Sequence, residues 1–247
     1  MTSIIGARVD PTTYDAATAQ IIEWSGASDS RYVCVANAHV IMEAHDSVQF
    51  RGILNDADLV TPDGMPLVWI LRLKGHQIRN RVYGPTLMHR VIRVAAIQDI
   101  PVGLYGSTPQ VLELLLSHLK STTSGLRVPY AYSPPFRELT PAEDKELCLK
   151  INQSGIRILF VGLGCPRQER WMAAHRGRIN VVMLGVGAAF DFLSGVKPQA
   201  PRWIQEIGLE WLFRLIHEPR RLWRRYLVQN PRFAALALRE LLGLGGA

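Results

Sequence analysis

Residues 156–169 read IRILFVGLGCPRQE, and this stretch decides the fold. Its first half, 156–162, is short, apolar and rich in β-branched side chains, without the polar alternation of a strand that faces water on one side. Its second half has two glycines and a proline, then polar residues opening a helical pattern that runs to about His175. A strand buried on both faces that turns through glycine directly into a helix is the repeating unit of a parallel α/β sheet.

Working outward, similar apolar runs occur at 32–36 (YVCVA), 102–105 (VGLY), 126–132 and 180–185 (NVVMLG), and each predicts a strand. Helical patterns separate them at 65–73, 85–96, 109–119, 141–152 and 166–175, several with proline in the first turn. The alternation predicts an α/β, Rossmann-like, mainly parallel sheet flanked by helices over residues 1–200. After about Pro201 the pattern changes, and 201–247 reads as a helical, basic C-terminal appendage with no strand.

The chain has 247 residues, 48% of them hydrophobic, enough for a full core. Its 28 Lys+Arg against 21 Asp+Glu give +7, which favours an anionic partner: nucleic acid, a phosphorylated substrate or an anionic membrane. Three cysteines without a C-x-x-C pair suggest neither a disulfide framework nor a zinc site, and the cytoplasm fits best. The N-terminus lacks the basic and apolar regions of a signal peptide. The longest apolar run, 181–190, is too short to span a membrane, which takes about 20 residues.

In open α/β sheets ligands bind at the carboxyl ends of the strands, so the turns there hold the candidates. Gly106-Ser107-Thr108-Pro109 and Gly162-Leu163-Gly164 each precede a helix start, where backbone N–H groups can meet a phosphate; neither is a G-x-G-x-x-G or Walker loop. Arg167, Gln168 and Glu169 cluster hydrogen-bonding groups on one such first turn, although a capping glutamate at an exposed helix start reads the same way. Asn37 closes a strand at an N-cap position, and Arg81 with Gly84 precedes another helix start. Asp63, in LVTPDGMP (59–66), fits turn chemistry between Pro62 and Gly64; it equally fits a general base, since burial would raise its pKa toward usefulness. Asp56-Ala57-Asp58 has the form of a metal-holding D-x-D but precedes its apolar pair instead of following it, and the histidines lack ligand spacing, so no metal and no cofactor is expected.

The appendage carries seven arginines from Arg214 to Arg239 against the single acid Glu218. On a regular helix after Pro219, Leu222, Trp223, Tyr226 and Leu227 share one face, with Arg220, Arg221, Arg224 and Arg225 roughly opposite. Such a helix suits either core packing with solvated arginines or an anionic membrane surface; the all-arginine charge and the Trp and Tyr favour the membrane or a pyrophosphate. A nucleic-acid-binding protein and a non-catalytic scaffold are the rival classes, but no nucleic-acid module is recognisable.

Taken together, ADLVTPDGMPLVW, NRVYGPTLM, GLYGSTPQV, ILFVGLGCPRQERWM, GVGAAFDFLSG and APRWIQEIGLEWLFRLIHEPRRLWRRYL resemble the WecG/TagA/CpsF family of bacterial glycosyltransferases, glycosyltransferase family 26, along nearly the whole chain and in order. The resemblance implies an inverting, metal-independent enzyme, peripheral on the inner face of the bacterial cytoplasmic membrane, that moves a sugar from a UDP-sugar to a polyprenyl-diphosphate-linked sugar. It further implies that Asp63 is the catalytic base, that Asn37 and Gln168 are active-site polar residues, and that Arg214, Arg221 and Arg224, with Arg225 beside them, meet the acceptor diphosphate and the membrane. Gly64, Arg81, Gly84, Gly106, Gly162, Gly164, Arg167 and Glu169 complete the expected substrate site. Two positions depart from the family pattern: Val35 stands where threonine is frequent and Thr86 where an acid is frequent, which leaves the donor open among N-acetylmannosamine, its uronic acid and glucose. The oligomeric state, a homo-oligomer included, is also left open.

Overall fold

The structure is a computed structural model that describes residues 2–27, 29–206 and 208–244, so Ile207 and 245–247 of the expected appendage lie outside the described residues. Two short strands, β1 (Ser3–Ile4) and β2 (Ala7–Arg8), pair antiparallel. Then follow α1 (Tyr14–Gly26), β3 (Arg31–Ala36), α2 (Ala38–Asp46), α3 (Val48–Asn55), β4 (Leu59–Pro62), α4 (Met65–Leu73) and α5 (Gly84–Ile97). The second half runs β5 (Val102–Gly106), α6 (Pro109–Thr122), β6 (Tyr130–Tyr132), α7 (Pro141–Gln153), β7 (Ile158–Gly162), α8 (Arg167–His175), β8 (Val182–Gly185) and α9 (Ala189–Leu193).

Six strands form one sheet in the order β4-β3-β8-β7-β5-β6, every neighbouring pair parallel. Alternate residues of each strand serve opposite layers. Tyr32, Cys34, Ala36, Leu159, Val161 and Met183 face the core under α2, α3, α4, α7 and α8. Val33, Val35, Ile158, Phe160, Val182 and Leu184 face the core under α1, α5, α6 and α9. Burial on both sides is why these strands read as unbroken apolar runs. Local chemistry starts the helices as expected: Thr108 caps α6 ahead of Pro109, and Thr140 with Glu143 forms a capping box on α7.

The strand expected at 126–132 shrinks to Tyr130–Tyr132. Leu126 is tied into a turn by its N–H to the Thr123 carbonyl, and Pro129 has no N–H to give a ladder. The Arg127 carbonyl accepts from the Val102 N–H at 3.0 Å, but the chain pairs in strand register only after that proline, as the outermost strand.

The C-terminal segment is helical: α10 (Arg202–Glu206), α11 (Glu210–His217), α12 (Pro219–Trp223), a π-helical turn (Arg224–Gln229) and α13 (Asn230–Leu241). Phe233 and Ala237 of α13 are buried in the same core as α2 and α4. Arg232 pairs with Asp46 at 2.6 Å, and Lys74 with Glu240, so the segment docks on the sheet domain along one side. The expected common face of Leu222, Trp223, Tyr226 and Leu227 is split, and residues 224–229 wind as a π turn. Leu222 and Tyr226 are buried, while Trp223 and Leu227 stand 46% and 58% exposed and Arg225 turns inward. Among the described residues no helix is long and apolar enough to cross a membrane.

Candidate active site

The β3–β4 register pairs Ala36 with Pro62, which sets the next residues, Asn37 and Asp63, side by side at the carboxyl edge of the sheet. Asp63 donates its backbone N–H to the Ala36 carbonyl at 2.7 Å. Gly64 is extended (φ −106°, ψ 141°), so Asp63 occupies a strand-to-helix junction and not a tight turn with a left-handed glycine. Its carboxylate is held from two sides: the Asn37 amide donates to Oδ2 and the Gly84 N–H to Oδ1, both at 3.3 Å. Asn37 also caps α2, its Oδ1 accepting from the N–H groups of His39 and Val40, as the sequence predicts. Burial pushes the Asp63 pKa above the ordinary carboxylate value; Arg81 opposes this, Glu210 adds to it, and the bonds from Asn37 and Gly84 oppose it.

The tail completes this corner. Arg81 donates to Gln205 at 2.9 Å and to Glu210 at 2.5 Å, the latter an ion pair with both side chains nearly enclosed. Arg225, in the π turn, donates to Asn37 Oδ1 at 3.2 Å. Arg214 lies over the Phe192 ring. The Nε groups of Arg214 and Arg225 are both buried without a hydrogen-bond partner, and neither guanidinium has an ion-pair partner among the described residues. Burial lowers the Arg225 pKa, and the Arg214 charge adds to the effect. Glu210 and Asp63 lie near enough to Arg214 to favour its charged form, and Asp63 does the same for Arg225. Burial and Arg225 push His39 down to about 4, which leaves a neutral imidazole at the same corner. Arg221 pairs with Glu218 at 2.7 Å and Arg224 sits over Trp223, nearer the mouth.

The glycine turns behave differently from the expectation of free N–H groups. Gly106 has φ +122°, and a Cβ there would lie 2.6 Å from the Gly162 carbonyl carbon, so the glycine allows two backbones to meet. The Ser107 N–H is consumed by the Gly162 carbonyl at 3.0 Å, and Gly106 does not line the cleft; Ser107 and Thr108 do. Gly164 donates its N–H to Gln168 Oε1 at 3.2 Å, and Gln168 Nε2 donates to Glu169 Oε1 at 2.9 Å. Glu169 is fully buried beneath Gln168, where burial pushes its pKa up to about 7. It therefore neither lines the cleft nor caps an exposed helix start; it orients the amide of Gln168, which does face the cleft.

Two cavities meet at Asp63. The larger, about 730 Å³, runs over Gly84, Ser107, Gly162, Gly164, Arg167, Gln168 and Gly187 to Arg214, Arg221, Arg224 and Arg225. The smaller, about 460 Å³, runs past Gly64 and Arg81 between α4 and the tail. Asn37, His39, Asp63, Arg214 and Arg225 line both. Both volumes suit small-molecule sites. The D-x-D lies elsewhere: Asp58 precedes β4, accepts from the Tyr32 N–H at 2.9 Å and pairs with Arg31 and Arg176. The one group of three metal-ligand types among the described residues, Asp144, Cys148 and His175, is also outside the cleft. There His175 meets the Trp171 carbonyl at 2.7 Å and Asp144 at 2.8 Å, and Arg178 occupies the second Asp144 oxygen.

Sequence reasoning passed over Glu210 and His39. Glu210 stands inside the quoted GLEW block.

Residues 2–246 match the glycosyl transferase WecG/TagA/CpsF family. Over 210 residues the chain is 28% identical to the N-acetylglucosaminyldiphosphoundecaprenol N-acetyl-beta-D-mannosaminyltransferase of Bacillus subtilis (strain 168), covering 84% of this chain and 79% of that one. The same-named enzyme of Bacillus spizizenii is likewise 28% identical over 210 residues, covering 85% and 79%. With a match across nearly its whole length, the protein belongs to the WecG/TagA/CpsF family and is a glycosyltransferase.

Proposed function

We propose that the enzyme transfers a sugar from a UDP-sugar to a polyprenyl-diphosphate-linked sugar, with inversion and without a metal, in the synthesis of a cell-surface polysaccharide. The observation that carries this reading is the junction of two cavities at one oriented carboxylate, Asp63, with Arg214 and Arg225 lining both. The relatives' names, which describe a lipid-diphosphate-linked acceptor, support it.

In this mechanism the acceptor hydroxyl lies against Asp63 and its oxygen attacks the anomeric carbon from the face opposite the nucleotide. The new glycosidic C–O bond forms as the bond to the diphosphate breaks; the hydroxyl proton passes to Asp63 and the electron pair leaves with UDP. Charge growing on the leaving diphosphate is met by tail arginines, whose planar forks pair two oxygens at once. The donor occupies the larger cavity, whose lining includes Val35. Exposed Ile216, Trp223, Leu227 and Val228, interleaved with Arg220, Arg221 and Arg224, suit peripheral contact with an anionic membrane on the cytoplasmic side.

The test is to incubate the protein with a panel of UDP-sugars and a short-chain lipid-diphosphate-sugar, and to identify the product by mass. One added hexose-type unit is the expected result; no product from any pair overturns the reading. EDTA should leave the rate unchanged, and a large loss would overturn the metal-independent step.

A further inference from the structure

The smaller cavity has an unequal character along its length. At the Asp63 end its wall is charged and polar, with Arg81 and its ion-pair partner Glu210, and with Arg214 and Arg225. Away from that end it becomes a trough walled by Trp69 of α4 on one side and by Trp211, Tyr226, Phe233, Leu238 and Leu241 of the tail on the other. Trp69 and Leu238 keep 47% and 57% of their surface exposed, so the trough has an open side. Both walls are fixed: Phe233 is part of the core, and Trp69 packs over Gly208, where a Cβ would come 3.2 Å from the indole. Helix α13, about 18 Å long at ~1.5 Å per residue, runs beside it.

An apolar trough that begins at paired cations and a catalytic carboxylate fits an amphiphile with an anionic head next to the reacting hydroxyl and a hydrocarbon chain behind it. The donor is not such a molecule, and the strand-end residues Ser107, Gly162, Gly164 and Gln168 line the other cavity. On the proposed reading of the site, the acceptor is. We infer that the trough between α4 and α13 seats the first isoprene units of the acceptor's lipid chain, so that the enzyme reads hydrocarbon as well as sugar and diphosphate. The chain would leave the membrane for a few units to enter the protein, with the Arg214–Arg225 pair fixing the diphosphate at the trough's head.

The test compares N-acetylglucosaminyl diphosphates carrying a methyl, a geranyl or a farnesyl chain, each below the concentration at which it aggregates and without detergent or vesicles. Each methylene-sized group taken out of water is worth about four-fold. Farnesyl, even partly seated, should therefore raise kcat/KM over methyl by on the order of 10²-fold. The readout is the farnesyl-to-methyl ratio within each variant, which general damage to the fold leaves alone. Leu238→Asp, at an exposed position, should collapse that ratio, as should Ala234→Trp, which fills the trough from its rim. A wild-type ratio near one, or a ratio unaltered in both variants, overturns the trough while leaving the transferase reading standing. A ratio that appears only once the lipids aggregate, or only at protein concentrations where the chain self-associates, assigns the face to a bilayer or to a second copy and also overturns it. No product with any chain overturns the transferase reading on which the inference rests.

Discussion

At the scale of single residues, Asp63 and Glu169 are two buried carboxyls raised for different purposes. As the proposed base, Asp63 must be ionised to accept a proton, so kcat/KM should rise with pH through its pKa. Burial places that acid limb above the ordinary carboxylate range. Glu210→Gln removes a charge that raises the Asp63 pKa and frees Arg81 to favour the anion, so the limb should move to lower pH; a pH–rate profile with an unmoved limb contradicts the assignment. Glu169 is the opposite case, protonated in the fold up to about pH 7 where the unfolded chain would ionise near 4.5. The folded state then binds the extra proton between those values. Its contribution to stability is full below about pH 4.5 and is lost as pH rises through about 7, on the order of 3 kcal/mol in all. Glu169→Gln keeps an oxygen for the Gln168 amide and should flatten that slope in denaturant titrations across this range, whereas Glu169→Ala should cost about 1–3 kcal/mol by orphaning the amide.

At the scale of elements, the π turn and the glycine turns set the site's shape. Arg225, the second residue of the π-helical turn at 224–229, donates to Asn37 from the tail. Arg225→Met should lower kcat/KM by roughly ten- to a hundred-fold, the worth of a charge-assisted hydrogen bond, while the protein stays folded by circular dichroism. Gly106→Ala should lower thermal stability, since φ +122° and the Gly162 backbone leave no room for a Cβ. These elements show what was legible in the sequence. Strands β3, β5, β7 and β8 were readable because burial on both faces makes each a plain apolar run. Residues 126–129 misled because the apolar pattern says nothing about which N–H groups are free to join a ladder. The glycine turns were recognisable as turns, yet whether an N–H points at a ligand or at a neighbouring strand depends on register, which no short motif carries.

At the scale of the whole molecule, the site is made by two distant parts of the chain. Asp63 and Asn37 come from adjacent strands of the sheet, and both were legible as residues at strand ends. Arg81–Glu210 and Arg225–Asn37 join residues more than a hundred positions apart, and the inward turn of Arg225 contradicts the helical-wheel reading of the tail. Such pairs have no local signature, so the sequence alone could offer the tail arginines only as a cluster. We propose that the tail from about Pro201 acts as one substrate- and membrane-binding unit. Deleting it should lower turnover and sedimentation with anionic vesicles together; retained sedimentation would assign the membrane contact elsewhere. The most direct measurement of the central claim is the turnover of Asp63→Asn with a UDP-sugar and a lipid-diphosphate-sugar, set beside its donor affinity by calorimetry. The account predicts a loss of turnover of roughly 10²- to 10⁴-fold with donor binding retained. Turnover close to that of the unaltered protein would contradict it.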